Sequence, residues 1–455
     1  MKALVFDKSK YDWETSKGFE LVDIPEPVLD EGKNEADANY VIMKVHYAGL
    51  CGTDRGIWNR QAFRDAILNS IDAEMSLSSR RHSEGVRPTE ESQSTKNKIL
   101  RPSDALGTQD DAKNKSYRII GHEFFGEVVK VGSKVKNVKV GDFVSPESHV
   151  VCNECYQCLR GQKEVCTKEK ILGISHDGGF AEFAKVPAHI LWKTDTGKIR
   201  PEIAAMQEPF GNAVHAASKV DLKDKTVAIF GLGPIGMFLT LVVRGLGAKM
   251  IIGVEPNPVA AEMAHKLGID YVVPLSTIPS VIASPSAAEG AAISSNKKIA
   301  SSPPADGLLA MTRNDKPYAH DSKVTDEIKK ITGGVGVDVS FEMAGFNSSV
   351  NNCLYATRRG GEIVLFGIKT GDFVFEDYNR LIVHGFTFHA VIGRQLWQTW
   401  EITRKLMEDT STGVQEKLFN IILDQGKDTI LPIGEYTKER FEAMMQKHPK
   451  FLIQF

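Results

Sequence analysis

The chain has 455 residues, 42% hydrophobic and 25% charged, which is enough for two or three packed domains and unlike a small disulfide-stapled scaffold. With 56 Lys and Arg against 58 Asp and Glu the formal charge is −2, so no basic excess argues for nucleic acid or another polyanion as partner. The longest mostly apolar run, residues 227–243, is broken by three glycines and Pro234, which excludes a membrane span.

In chain order, MKALVF enters a strand-like run without the basic, apolar and small-residue series of a secretory signal, so a cytoplasmic protein is expected. Residues 1 to about 60 and 117 to about 190 read as short glycine-broken strands, among them YVIMKVHYAGLCG, RIIGHEFFGEVVKVG and GDFVSPESHVVC. From Lys225 the pattern changes to TVAIF, GLGPIG, MFLTLVVRGL and MIIGVE, the strand and helix alternation of parallel βαβ units. It continues through VDVSFEMAG and GEIVLFGI, with helical stretches such as 325–331 between them. After about Arg394 the chain reads helical again and closes on FLIQF, a candidate strand returning to the first domain.

Two stretches fit neither pattern. Residues 60–116 carry nine serines with ten basic and nine acidic residues, and residues 277–323 draw 22 of 47 positions from Ser, Ala and Pro. Such composition buries too little apolar surface to offset a backbone entropy of ~1–2 kcal/mol per residue, so both are expected to be mobile inserted loops, the first a candidate lid.

Four of the six cysteines, Cys152, Cys155, Cys158 and Cys166, crowd into CNECYQCLRGQKEVC. That spacing suits a tetrahedral zinc with every position filled by sulfur, hence a structural one, with an iron–sulfur cluster as the alternative. Cys51 in CGTD, His122 and Glu123 in GHE, and Glu208 in QEPFGNAV form a mixed set that would suit a catalytic zinc with an open position. Spacing alone does not separate that set from a core cysteine and a satisfied histidine.

GLGPIG places Gly231, Gly233 and Gly236 between a strand and a helix, the setting in which glycines allow a tight turn, approach of a pyrophosphate and close helix packing. Glu255, 24 residues after Gly231, can accept from ribose hydroxyls and would repel a 2′-phosphate, so NAD is expected over NADP. Cys353 reads as core packing.

The run GHEFFGEVVKVGSKV, with CGTD, the four-cysteine lobe and GLGPIG in the same order, resembles the zinc-dependent medium-chain alcohol dehydrogenases. VSPESHVVCNECYQC, QEPFGNAVHAA and IGRQLWQTW look most like the L-threonine 3-dehydrogenase branch of that family. The resemblance implies an α/β fold: a GroES-like β-rich catalytic domain (1–211) holding both zincs, a Rossmann doubly wound parallel sheet (212–393), and a return to the catalytic domain (394–455). It also implies tetramers or dimers, two zincs per chain, a small-molecule alcohol as substrate, and hydride transfer from L-threonine or a related amino alcohol to NAD. A polyol or sugar dehydrogenase is the alternative within the class, and a catalytically silent zinc- and nucleotide-binding module the alternative outside it.

Carried over by position, Cys51, His122 and Glu208 would be catalytic zinc ligands, with Glu123 as an exchangeable one. Asp54 would orient His122, Thr53 would begin a proton relay, and His149 would line the substrate pocket. Ile235, Glu255, Ile368 and Arg394 would touch the cofactor, Arg394 as a cation near the dinucleotide. The chain departs from the family's pattern at Gly56, where threonine enzymes usually carry a relay histidine, and at Ala260, near the place of an arginine that often follows the ribose ligand.

Overall fold

The computed structural model describes residues 1–84, 115–275, 318–368 and 372–455. Two compact units emerge, one of Met1–Asn212 with Gly393–Phe455 and one of Ala213–Ile392.

The first unit is organised around the strand Tyr40–Gly49. Along one edge it pairs antiparallel with Glu123–Val131, Gly49 opposite Glu123. Its other edge takes Phe183–Pro187 and then Leu452–Gln454, with Leu452 opposite Gly49. The apolar C-terminal run therefore does rejoin the first unit, and this register brings the chain's last residues beside the loop after Gly49. The core beneath includes Trp58 stacked on Phe441 with centroids 4.8 Å apart, and Phe19 edge-on to both.

Part of the expected loop 60–116 is regular structure instead. Residues Arg64–Glu84 form a helix. Ile67 and Ile71, one turn apart, are fully buried in the core, and Ser70 and Glu74 continue that face to the buried Arg118, which also pairs with Asp177. Composition averaged over 57 residues hid this short face, whose apolar and charged partners lie far away in sequence. The remainder of that stretch, with any lid, lies outside the described residues, as does 276–317. The end of the second expected loop enters the helix Ser322–Ile331, where the Asp321 side chain accepts from the Lys323 amide at 3.0 Å.

The second unit is a six-stranded sheet with every pairing parallel. Taken in chain order its strands lie 3-2-1-4-5-6, the Rossmann arrangement, with the switch point between Thr226–Phe230 and Val337–Glu342. The inner strands Thr226–Phe230, Met250–Val254 and Val337–Glu342 are near-continuously buried, as parallel strands covered on both faces are. Among the described residues no helix is long and apolar enough to cross a membrane.

Candidate active site and metal centres

Cys51 caps the helix Gly52–Trp58. Its amide donates to Asp54 Oδ2 at 2.9 Å, and its side chain accepts from the third helical amide, so the thiol and the Asp54 carboxylate are fixed in one turn. His122 precedes the strand Glu123–Val131 and is turned by Gly121, whose φ of +92° and packing on Phe180 leave no room for a side chain. The donor atoms of Cys51, His122 and Glu123 all fall within 4.8 Å of one another, although 71 residues part the first from the second. Asp54 Oδ1 lies 3.5 Å from His122 Nδ1. Burial raises the Cys51 thiol, with Glu123 adding to it, while His122 is held well above its usual range by Asp54 and Cys51 against the effect of burial. A sulfur, an imidazole and a carboxylate that burial makes costly to ionise together is a donor set suited to a divalent cation.

Glu208 is not in that group. It opens the helix Gln207–Ala217, and its Oε1 lies 2.9 Å from Arg394 Nη2. Arg394 departs from the sequence expectation too. Only 2% exposed, it spends its guanidinium on Glu147 through Nε (2.9 Å) and Nη2, on Ser148 Oγ (2.7 Å), on Asn212 Oδ1 (2.8 Å) and on Glu208. With its donors so engaged, it is a brace inside the first unit rather than a free cation for a dinucleotide. Glu147 also accepts from Trp400 Nε1 at 2.9 Å, and Arg394 holds its carboxyl down at about 2 although burial pushes the other way.

Sequence reasoning missed Glu147 and Lys450. Glu147 stands in the quoted run SPESHV, where an acid beside a histidine was a usable signal. Lys450 offered none: it is 1% exposed, its Nζ binds Glu123 and the Leu50 carbonyl (2.9 Å), and only the return of the C-terminal strand brings it there. Burial keeps the Glu123 carboxyl above its usual range, with Lys450 pulling it down. Thr53 is half-buried on the first turn after Cys51. At Gly56 a Cβ would stand 2.8 Å from Ala62 Cβ, so the position of the usual relay histidine is closed by packing.

The four clustered cysteines are free thiols, and their sulfurs lie within 4.8 Å of one another. The separations 3.5, 3.9 and 4.0 Å bracket the edge of about 3.8 Å that a tetrahedron with metal–sulfur bonds near 2.3 Å requires. The Glu154 and Cys155 amides donate to Cys152 Sγ (3.5 and 3.3 Å) and the Cys152 amide to Cys166 Sγ (3.4 Å), so the backbone itself orients these sulfurs. His149 sits just before this lobe, its Nδ1 2.6 Å from Glu169 Oε2.

In the second unit the three glycines meet three different demands. Gly231 turns the chain at φ +95° against Ala344, and a Cβ on Gly236 would come within 2.1 Å of the Gly231 carbonyl. Gly233, which caps the helix Pro234–Gly245, faces open space, the room a pyrophosphate needs at a helix N-terminus. Ile235 is half-buried on that first turn. Glu255 accepts from the Leu232 amide at 2.8 Å and from the Asn257 amide at 2.9 Å, so it also ties down the glycine loop. Ile368 is 82% exposed, and its carbonyl would meet any Cβ on Gly345 at 2.6 Å.

Residues 97–196 match the alcohol dehydrogenase GroES-like domain, and 311–409 match the zinc-binding dehydrogenase domain. The chain is similar to L-threonine 3-dehydrogenase of Pyrococcus horikoshii, 35% identical over 294 residues that cover 65% of this chain and 72% of the relative. It is similar to L-threonine 3-dehydrogenase of Bacillus velezensis, 29% identical over 409 residues that cover 90% and 88%. In fold it is similar to 2R,3R-butanediol dehydrogenase from Bacillus subtilis, with a TM-score of 0.65, 21% identity, and coverage of 100% and 99%. It is equally similar in fold to galactitol-1-phosphate dehydrogenase from Escherichia coli, with a TM-score of 0.66, 17% identity and full coverage of both chains.

Proposed function

Because the chain belongs to the zinc-dependent medium-chain alcohol dehydrogenases, close to the L-threonine 3-dehydrogenases, we propose that it oxidises the secondary hydroxyl of L-threonine or a related amino alcohol with NAD. The observation that carries this reading is the convergence of Cys51, His122 and Glu123 on one point. The unit of Met1–Asn212 with Gly393–Phe455 would be the catalytic domain and Ala213–Ile392 the cofactor domain. A homo-oligomer, tetramer or dimer, in the cytoplasm completes the proposal.

Cys51, His122 and Glu123 would hold one zinc, and Cys152, Cys155, Cys158 and Cys166 a second, structural one. When bound, the first zinc supplies a Lewis acid that strengthens the acidity of an alcohol, and NAD supplies the hydride acceptor. The rest falls to the chain's own groups. Asp54, beside Nδ1, orients the His122 ring. Lys450 holds Glu123, and Arg394 holds Glu208, whose charge acts on Glu123. The Thr53 hydroxyl, next but one to Cys51, would accept the alcohol's proton and pass it on. In the other unit Gly231, Gly233, Ile235 and Gly236 would receive the pyrophosphate, Glu255 the adenosine ribose hydroxyls, and Ile368 the nicotinamide end.

The experiment is NADH absorbance with zinc-quantified protein, offering L-threonine, D-threonine, 2,3-butanediol, sorbitol and glucose with NAD or NADP. NAD-linked turnover selective for L-threonine at two zincs per chain is expected. Turnover on polyols or glucose alone would overturn the substrate assignment, and silence on every alcohol would overturn the reaction.

A further inference from the structure

His149 and Ile171 face each other on a two-stranded ribbon, which places Glu169 beside the His149 ring. At 2.6 Å from Nδ1, a carboxylate can only accept, so Nδ1 carries a proton and Nε2 is the ring nitrogen left for a second partner. The His149 amide donates to Glu147 Oε1 at 3.1 Å, so the residue is anchored on the same carboxylate that grips Arg394. Nε2 has no hydrogen-bond partner among the described residues. It lies against Gly393, where even an added Cβ would stand 3.6 Å away, and the next residue, Arg394, reaches Glu208. The acids on and beside that brace are engaged, Glu147 and Glu208 by Arg394 and Glu123 by Lys450.

We propose that Glu169 is a positioning residue, holding His149 in its Nδ1–H tautomer so that Nε2 accepts a hydrogen bond from a donor on the alcohol substrate. The donor is the substrate's hydroxyl or its α-ammonium. This deepens the proposed function and rests on it for the identity of the ligand. The carboxylate works at one remove, as the carboxylate partners of metal-ligating histidines do, where loss typically costs about 10- to 100-fold.

Two measurements test it, one independent of turnover. In nitrogen-15 spectra of histidine-labelled protein, with His149 assigned by its loss in His149→Gln, the wild-type ring should show a protonated Nδ1 and a bare Nε2. Glu169→Ala should lose that preference and Glu169→Gln, whose amide oxygen still accepts, should keep it. In steady-state kinetics Glu169→Ala should raise KM for L-threonine about tenfold, with KM for NAD and zinc content unchanged, and Glu169→Gln should recover most of the loss. A rise for threonine but not for 2,3-butanediol assigns the ammonium as donor, and a rise for both assigns the hydroxyl. An unchanged tautomer in Glu169→Ala, or a KM within about twofold of wild type, overturns the inference. Should threonine fail as substrate while the tautomer still depends on Glu169, the substrate reading falls and the positioning role stands.

Discussion

Replacing Glu147 by Gln tests whether the Arg394 brace is held by charge. The carboxylate is fully buried and accepts from Arg394, from Trp400 Nε1 at 2.9 Å and from the His149 amide at 3.1 Å. Its value of about 2 against an ordinary 4.5 is a drop of roughly 2.5 units, or about 3 kcal/mol of pairing. This agrees in order with the ~3–5 kcal/mol for unpairing a buried charge, and Glu208 and Ser148, still on the guanidinium, favour the lower end. Because the folded value is depressed, the stabilisation is complete above the unfolded value and is lost as pH falls from 4.5 toward 2. Denaturant unfolding of wild type and Glu147→Gln, followed by tryptophan fluorescence, should differ by about 3 kcal/mol at neutral pH, the gap closing below pH ~4. The comparison uses the difference between the proteins, since acid release of metal acts on both. A gap under about 1 kcal/mol at neutral pH, or one that does not shrink with acid, would refute the reasoning.

Two alanine substitutions in the glycine loop should part company. Gly236→Ala puts a methyl 2.1 Å from a backbone carbonyl and should lower the unfolding midpoint of the cofactor unit, whereas Gly233→Ala meets nothing and should leave it unchanged while raising KM for NAD. Cys158→Ser removes one corner of the sulfur tetrahedron, so zinc by atomic spectroscopy should fall from two to one per chain, with an earlier unfolding midpoint. Lys450→Met deprives buried Glu123 of its cation, and competition with a chelator should show zinc at the Cys51 site held about 10- to 100-fold more weakly.

Much of this was legible in order along the chain. The four cysteines, the glycines of GLGPIG with Glu255, and the alternating apolar runs of the second unit are local signals, because zinc knuckles and βαβ turns are built from residues close in sequence. FLIQF declared itself a strand by its apolar run.

What needed the fold is the set of long-range partners. Whether Cys51 and His122 met depended on the register of Tyr40–Gly49 against Glu123–Val131, and whether Lys450 faced Glu123 on the pairing of Leu452 with Gly49. Arg394 could be read in sequence as a cation for a dinucleotide, yet its positive charge, once buried, had to be matched by Glu147 and Glu208, 247 and 186 positions earlier. Sequence determines which residues can ligate, turn or pack, since those are properties of short segments. Tertiary structure decides which buried charges must answer one another, because the cost of burying a charge depends on what surrounds it and not on its neighbours along the chain.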